Sequence, residues 1–319
     1  MSRLYSIGEL LIDFQSVGTG SLKSTEQFVK KAGGAPANVA AQAVRLGAQA
    51  TYLTKVGDDG FGEFLIETLA STGIDVRFIR KDGEHSTSLA FVSFQANGER
   101  EFSFYRKNAA DLALVPEEFE NVVFEKGDIL EFGSVALGSE TARKTHRYLI
   151  DKAKRNGAIV AFDPNLRLNL WKEPKELQKV CEDFLPYADV VKIGADEITF
   201  LTGLGLEEAI AKTLRENDIR ILLVTDGPNG AKLYANGLVY HCPGYKVKAV
   251  DTTGAGDSFF GAFLGMLLLK GIDQSTLANQ GNPYQEMLEF ACKAGAYTTT
   301  KYGAIQAMGN QEEIERTVK

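Results

Sequence analysis

The chain has 319 residues, 44% of them hydrophobic and 24% charged, with a formal net charge of -7 and no local cluster of Lys and Arg. At roughly 150 residues per domain this is one large or two average globular domains; the composition excludes collagen, coiled coil and disorder, and the acidic balance offers no field to draw a nucleic-acid backbone. Cys181, Cys242 and Cys292 are an odd count without a CxxC pair, which argues against a disulfide framework or zinc site and for reduced thiols in the cytoplasm.

The opening segment MSRLYSIGELLIDF carries Glu9 and Asp13 within its apolar stretch and lacks a small-residue cleavage site. It therefore reads as a strand, Leu4 to Ile12, and not as a secretory signal. Asp13 follows this strand, where ligand clefts of open α/β sheets form, and its carboxylate suits acceptance from sugar hydroxyls. A solvated strand end would look the same. Ala32-Gly33-Gly34-Ala35-Pro36-Ala37-Asn38 then leads into a helix from Ala37 to Leu46. Gly33 and Gly34 permit close approach of a ligand to backbone, Pro36 suits a first helical turn, and Asn38 offers both donor and acceptor. That chemistry fits a polyol, and equally a tight turn before a packed helix.

Thr51 to Val56 reads as a strand and Phe61 to Ser71 as a helix. Residues 87 to 105 alternate apolar and polar around Asn97-Gly98, a dipeptide that favours a type I′ hairpin turn. This predicts an antiparallel ribbon outside the main sheet, its apolar face serving as an edge of the core or as a lid or dimer surface. Further strands at Asp128 to Phe132, Ala158 to Phe162, Asp189 to Ile193 and Ile221 to Thr225 alternate with helices at Ala142 to Arg155, Pro174 to Phe184 and Leu206 to Glu216. Parallel strands need crossovers of this kind, so the class is α/β: a central, mostly parallel sheet with helices on both faces. A second hairpin is expected from Lys232 to Tyr234 and Leu238 to Tyr240 around Asn236-Gly237.

Asp251-Thr-Thr-Gly-Ala-Gly-Asp257 runs directly into an apolar helix, Ser258 to Leu269. The apolar run within it is far shorter than the ~20 residues of a membrane span, so a buried helix and no membrane partner are expected. Gly254 and Gly256 free the backbone to curl, gathering unpaired amides and the positive end of the helix dipole into an anion site. The segment is neither a GxxxxGK[ST] nor a GxGxxG loop. A carboxylate at Asp257 would repel a resting phosphate, but it makes sense facing an incoming hydroxyl while the amides face a phosphoryl group. Capping of the helix by Asp257 is the alternative.

The stretches AGGAPANVAAQAVRLG and DTTGAGDSFFGAFL resemble, in order and separation, the two signatures of the ribokinase/PfkB carbohydrate kinases. The likeness spans essentially the whole chain. It implies a single ribokinase-like domain over residues 1–319, with a small β-sheet lid inserted at approximately 14–31 and 87–108. It also implies an ATP-dependent sugar kinase, with Asp257 as the base towards the acceptor hydroxyl and the amides of Gly254, Ala255 and Gly256 as the anion hole. Within the family, GEREFSFYRKNAADLAL and FDPNLRLNLW look like segments of fructokinases. That likeness implies transfer of the ATP γ-phosphoryl to the 6-hydroxyl of D-fructose, and places Arg106, Asn165 and Arg167 near the sugar or phosphoryl path. A 2-keto-3-deoxygluconate kinase is the alternative; its substrate carries a carboxylate and calls for an additional cation. The rival of another class is a catalytically silent sugar-binding or regulatory protein on the same fold, disfavoured by the presence of Asp257 and the full glycine curl.

Where the family usually carries Asn-x-x-Glu, this chain reads Gly194-Ala195-Asp196-Glu197. Plant fructokinases look similar in lacking that Asn, and the resemblance keeps Glu197 as a water-mediated influence on Mg²⁺, with Asp196 as the local competitor. Thr225-Asp226-Gly227-Pro228-Asn229-Gly230 resembles the nucleotide-side loop, which implies that Thr225, Gly227 and Gly230 meet ATP together with Gly254 and Gly256. Asp251 and Thr253, with backbone of Thr298, Lys301 and Gly303, fall where relatives hold a monovalent cation such as K⁺. Relatives also use lid sheets as dimer surfaces, which implies a homodimer through the lid strands; a solvated lid face would look the same.

Overall fold

The computed structural model describes residues 2–95 and 100–319. In chain order, β1 (Arg3–Ile7), β2 (Leu11–Thr19) and β3 (Phe28–Gly33) precede α1 (Ala35–Arg45), followed by β4 (Gln49–Gly57), α2 (Gly60–Ser71), β5 (Asp75–Asp82), β6 (Ser88–Phe94) and β7 (Arg100–Tyr105). Then come β8 (Ile129–Gly133), α3 (Glu140–Arg155), β9 (Ile159–Asp163), α4 (Pro174–Phe184), β10 (Val190–Gly194), α5 (Ala195–Thr202), α6 (Leu206–Glu216) and β11 (Ile221–Thr225). The hairpin β12 (Gly230–Ala235) and β13 (Leu238–Pro243) leads to α7 (Ala255–Leu269), α8 (Tyr284–Thr299) and α9 (Gln311–Thr317).

The large sheet runs β13-β12-β11-β10-β9-β8-β1-β4-β5, parallel from β11 through β5, with the β12–β13 hairpin added antiparallel at one edge. Its central strands are apolar on both faces because helices cover both. Alternate residues of β9 show this: Ile159 and Ala161 pack with α1, α7 and α8, whereas Val160 and Phe162 pack with α3 and α4. Two crossover helices, α2 and α3, start where a side chain satisfies free amides. Asp59 accepts from the amides of Phe61 and Gly62 at 3.0 and 2.8 Å, and Ser139 accepts from that of Ala142 at 3.0 Å.

A second, four-stranded sheet has the order β3-β2-β6-β7, with β2 and β6 parallel and both outer pairs antiparallel. The Asn97-Gly98 turn expected between β6 and β7 lies outside the described residues. In the β12–β13 hairpin, Asn236 and Gly237 have φ of 55° and 74°, the positive pair that a type I′ turn requires.

One expectation is corrected. The run from Leu4 to Ile12 is not a single strand: β1 ends at Ile7 in the large sheet, and β2 begins at Leu11 in the small one. The crossing fits against α1, where a Cβ on Gly8 would lie 2.6 Å from the ring of Pro36. Strand β5 and helices α5, α8 and α9 go beyond the sequence reading. No helix among the described residues is long and apolar enough to cross a membrane.

Candidate active site

A cavity of about 880 Å³ opens beyond the C-terminal ends of the parallel strands, where ligands collect in open α/β sheets. Its floor is the segment from Thr252 to Asp257, one wall is the 165–170 loop, and Val92, Phe94, Phe102 and Phe104 of the small sheet form the roof.

The floor curls as the glycines dictate. Gly254, the residue before α7, has a φ of 76°, and a Cβ there would stand 2.8 Å from that of Ala304. Only glycine meets both demands. Gly254 and Gly256 line the cavity, while Ala255 lies between them at the first position of α7. Asp257 is buried in the first turn, and its carboxylate accepts from Nδ2 of Asn38 at 2.8 Å. It does not cap the helix: the cap position is Gly254, with no side-chain bond. Behind it, Ser258 donates to Oε1 of Gln42 at 2.8 Å and receives the Thr298 hydroxyl at 2.8 Å, tying α1, α7 and α8 together.

At the other end, Asp13 on β2 and Gly34 before α1 line the cavity beside Asn38. Gly33 does not line it, but a Cβ there would come within 2.2 Å of Asp13 Oδ2, so its smallness makes room for that carboxylate. Burial, opposed by Arg167 and Lys31, raises the Asp13 pKa to about 6. Glu9 was missed as a site residue. Its Oε1 accepts from the Ala35 amide at 3.0 Å, while Oε2 is buried without a partner in a residue that lines the cavity. Burial, opposed by the charge of Arg106, raises its pKa to about 7. An acid inside an apolar strand run was the available signal.

Asn165 and Arg167 line the cavity, the first buried with a φ of 41°, the second exposed at the mouth. Arg106 does not line it. Its buried guanidinium pairs with Asp111, donates to Ser88 Oγ at 3.2 Å and reaches the carbonyl of Val135, a lining residue, at 3.4 Å.

Towards α5, Glu197 clamps two chain segments, accepting from the amides of Leu166 at 2.6 Å and Gly194 at 2.8 Å. Both Glu197 and Asp196 line the cavity. So does Lys192 of β10, also missed, whose ammonium donates to Asp163 Oδ2 at 2.9 Å within the interior. Burial raises the Asp163 pKa to about 6 against the pull of Lys192. Burial disfavours the Lys192 charge, but Asp163, Glu197 and Asp257 outweigh it and raise the lysine's pKa.

The remaining candidates, Thr253 excepted, lie outside the cavity. Thr225 ends β11 beside Gly194 of β10, on the same sheet edge, and Gly227 and Gly230 follow with φ of 49° and 99°. Asp251 accepts from the Thr253 amide and hydroxyl at 2.9 and 2.7 Å and from the Gly303 amide at 2.9 Å, drawing the 251–253 and 303 backbones together. Thr253 itself lines the cavity. The Thr298 carbonyl accepts from the Lys301 amide at 3.3 Å.

Comparison with known proteins gives a consistent picture. Residues 1–310 match the model of the pfkB family carbohydrate kinases. Fructokinase-2 of Solanum lycopersicum is 40% identical over 318 residues, covering 99% of this chain and 96% of that protein. A double-mutant fructokinase from Vibrio cholerae O395, in fructose-, ADP- and potassium-bound form, superposes with a TM-score of 0.89 at 33% identity, covering 100% of this chain and 99% of the other. The fructokinase of Xylella fastidiosa with bound ATP gives a TM-score of 0.87 at 32% identity, covering 99% and 97%.

Proposed function

The chain belongs to the pfkB family of carbohydrate kinases, and from that membership we propose that it is a fructokinase, transferring the γ-phosphoryl group of ATP to the 6-hydroxyl of D-fructose. One observation carries the reading at the level of residues: the amide curl at Gly254–Gly256 and the Asp257 carboxylate stand at the floor of a cavity that continues to Asp13 and Asn38. Phosphoryl transfer passes through a loose transition state in which positioning and charge stabilisation dominate. Asp257, held by Asn38, orients the hydroxyl and takes its proton late, as the acceptor oxygen becomes acidic. The amides of Gly254 and Gly256, with that of Ala255, which donates to the Thr252 carbonyl at 3.3 Å in this structure, meet the charge that gathers on the phosphoryl oxygens.

Glu9, Asp13 and Asn38 make the far end of the cavity acidic and rich in acceptors. That end suits the hydroxyls of a neutral sugar and repels a carboxylate, which favours fructose over 2-keto-3-deoxygluconate. Thr225, Gly227 and Gly230 are assigned to the nucleotide side.

Among the described residues no three His, Cys, Asp or Glu side chains cluster as a metal cage. Mg²⁺ keeps several waters and binds through few carboxylates and substrate phosphates, so Glu197 and Asp196 fit it as outer partners through water. When bound, it would neutralise phosphate charge. Asp251 and Thr253, with the backbone of Thr298, Lys301 and Gly303, are assigned to a K⁺ site beside the curl. The small sheet is assigned as a lid over the sugar, excluding water as a competing acceptor. Its exposed Val17 and Val29 also support a homodimer through this sheet, which light scattering after size exclusion tests.

The decisive experiment measures ADP release with Mg·ATP and fructose, 2-keto-3-deoxygluconate or ribose, and identifies the product by NMR. Fructose with the highest kcat/KM and phosphate on O6 is the expected result. A preference for the keto acid would overturn the substrate, and no sugar-dependent turnover would overturn the kinase and favour a silent binding protein.

A further inference from the structure

Lys192 is an ammonium placed where the fold has no structural need of one. It lies on β10 between Val191 and Ile193, both fully packed, and is itself 6% exposed. Burying an ion pair such as Lys192–Asp163 costs several kcal/mol in desolvation, and well-packed apolar side chains would serve a sheet as well or better. Its surroundings instead point at the site. Among the lining side chains Glu9, Asp13, Asp196, Glu197 and Asp257 are acidic, and Arg167 and Lys192 are basic. Arg167 is exposed at the mouth, so Lys192 is the buried cation of the lining. A cavity that receives a polyphosphate needs positive charge inside it.

The ammonium also sits against the anion-binding curl. A Cβ built on Gly256 would lie 3.0 Å from Lys192 Nζ. The lysine thus approaches the amides of α7 from the side of the sheet, with Asp163 fixing it at 2.9 Å from behind. One bond to Asp163 uses one of the three donors of an ammonium.

We propose that Lys192 is a phosphoryl-contacting residue, its ammonium donating to an oxygen of the group in transit beside the Gly254–Gly256 amides, with Asp163 as its positioning partner. The proposal rests on the kinase reading above. In the step, the bond from phosphorus to the sugar oxygen forms as its bond to the ADP oxygen breaks, and the hydroxyl proton passes to Asp257. Lys192 stays protonated throughout. Its charge is kept by Asp163, Glu197 and Asp257 around it.

The test compares wild type, Lys192→Met, and the double variant Lys192→Met/Asp163→Asn, which removes both buried charges and guards against misfolding of the single variant. Expected are kcat losses of about 100-fold or more in both variants, in line with loss of one preorganised donor to developing charge. The KM for fructose should stay within about threefold of wild type, because the contact is to the phosphoryl group and not to the sugar. Recovery of kcat to near the wild-type value in the double variant would show that the lysine merely neutralises Asp163, and would overturn the proposal; so would an undiminished kcat in Lys192→Met. Wild-type protein inert towards every sugar would overturn the kinase reading instead. The lysine is then judged by calorimetric titration: weaker binding of ATP with ADP little changed in the variants sustains the contact, and unchanged ATP affinity ends it.

Discussion

Asn38 donates through Nδ2 to the Asp257 carboxylate at 2.8 Å, joining the first turns of α1 and α7 across 219 positions of the chain. The two helices that carry the sequence signatures therefore meet at the atom assigned to take the proton. Asp257→Asn keeps the size of the side chain and removes the base. It is expected to lower kcat by about 10²- to 10⁴-fold while the KM for fructose moves little, as steady-state kinetics on the purified variant will show. Turnover near the wild-type rate would reject the base role.

Gly254→Ala tests the curl. The new methyl group would meet Ala304 at 2.8 Å in a backbone conformation, φ 76°, that alanine adopts reluctantly. A loss of about 1–3 kcal/mol in unfolding free energy is expected, measured by urea titration. A kcat loss of about 10²-fold or more should accompany it, because the amides no longer converge on one point.

Glu9 sets a pH dependence of stability. Its folded pKa of about 7 lies above its ordinary 4.5, so the folded protein binds this proton more tightly than the unfolded chain. The resulting stabilisation is complete below pH about 4.5, declines as the pH rises through 7, and is gone above that; its size is on the order of 1–3 kcal/mol. Asp13 and Asp163, both raised to about 6, act with the same sign. Glu9→Gln, uncharged at every pH, should match wild type near pH 4 and exceed it near pH 8 in chemical denaturation. Parallel curves for the two proteins would exclude the effect.

Arg106 and Asp111 form a buried pair outside the cavity. Arg106→Ala leaves the Asp111 charge buried without its cation, with the Ser88 hydroxyl still donating to it, and is expected to destabilise the fold by about 3–5 kcal/mol. Thermal unfolding followed by circular dichroism measures this. With Val135 no longer tethered, the fructose KM should rise more than kcat falls.

The alternation of apolar strands and amphipathic helices made most of the large sheet legible, to within a residue or two at β9, α4, α6 and β11. The break at Gly8 was not legible, because both sheets bury the residues on either side of it, and an apolar run carries no mark of changing sheets. Edge strand β5, DVRFIRKD, was hidden by its charges. In the site, Asp257, Asn38 and the glycines were legible because they sit in dense motifs. Glu9 and Lys192 were not: each is a lone charge in an apolar stretch, and only the fold reveals that it faces a cavity and not the packed interior. Arg106, taken to the substrate path from likeness, stands behind the lining, its guanidinium on the carbonyl of Val135.

The passage from β1 to β2 takes only Gly8, Glu9 and Leu10, and the return from β3 to α1 takes only Gly34. Any swing of the small sheet about the large one must bend the backbone at these two seams. Glu9 rides on the first, and its carboxyl is bonded to Ala35 just past the second. If the small sheet closes as the proposed lid, its joint is thereby built from groups assigned to the sugar, and filling the pocket and setting the angle of its cover would be one mechanical event.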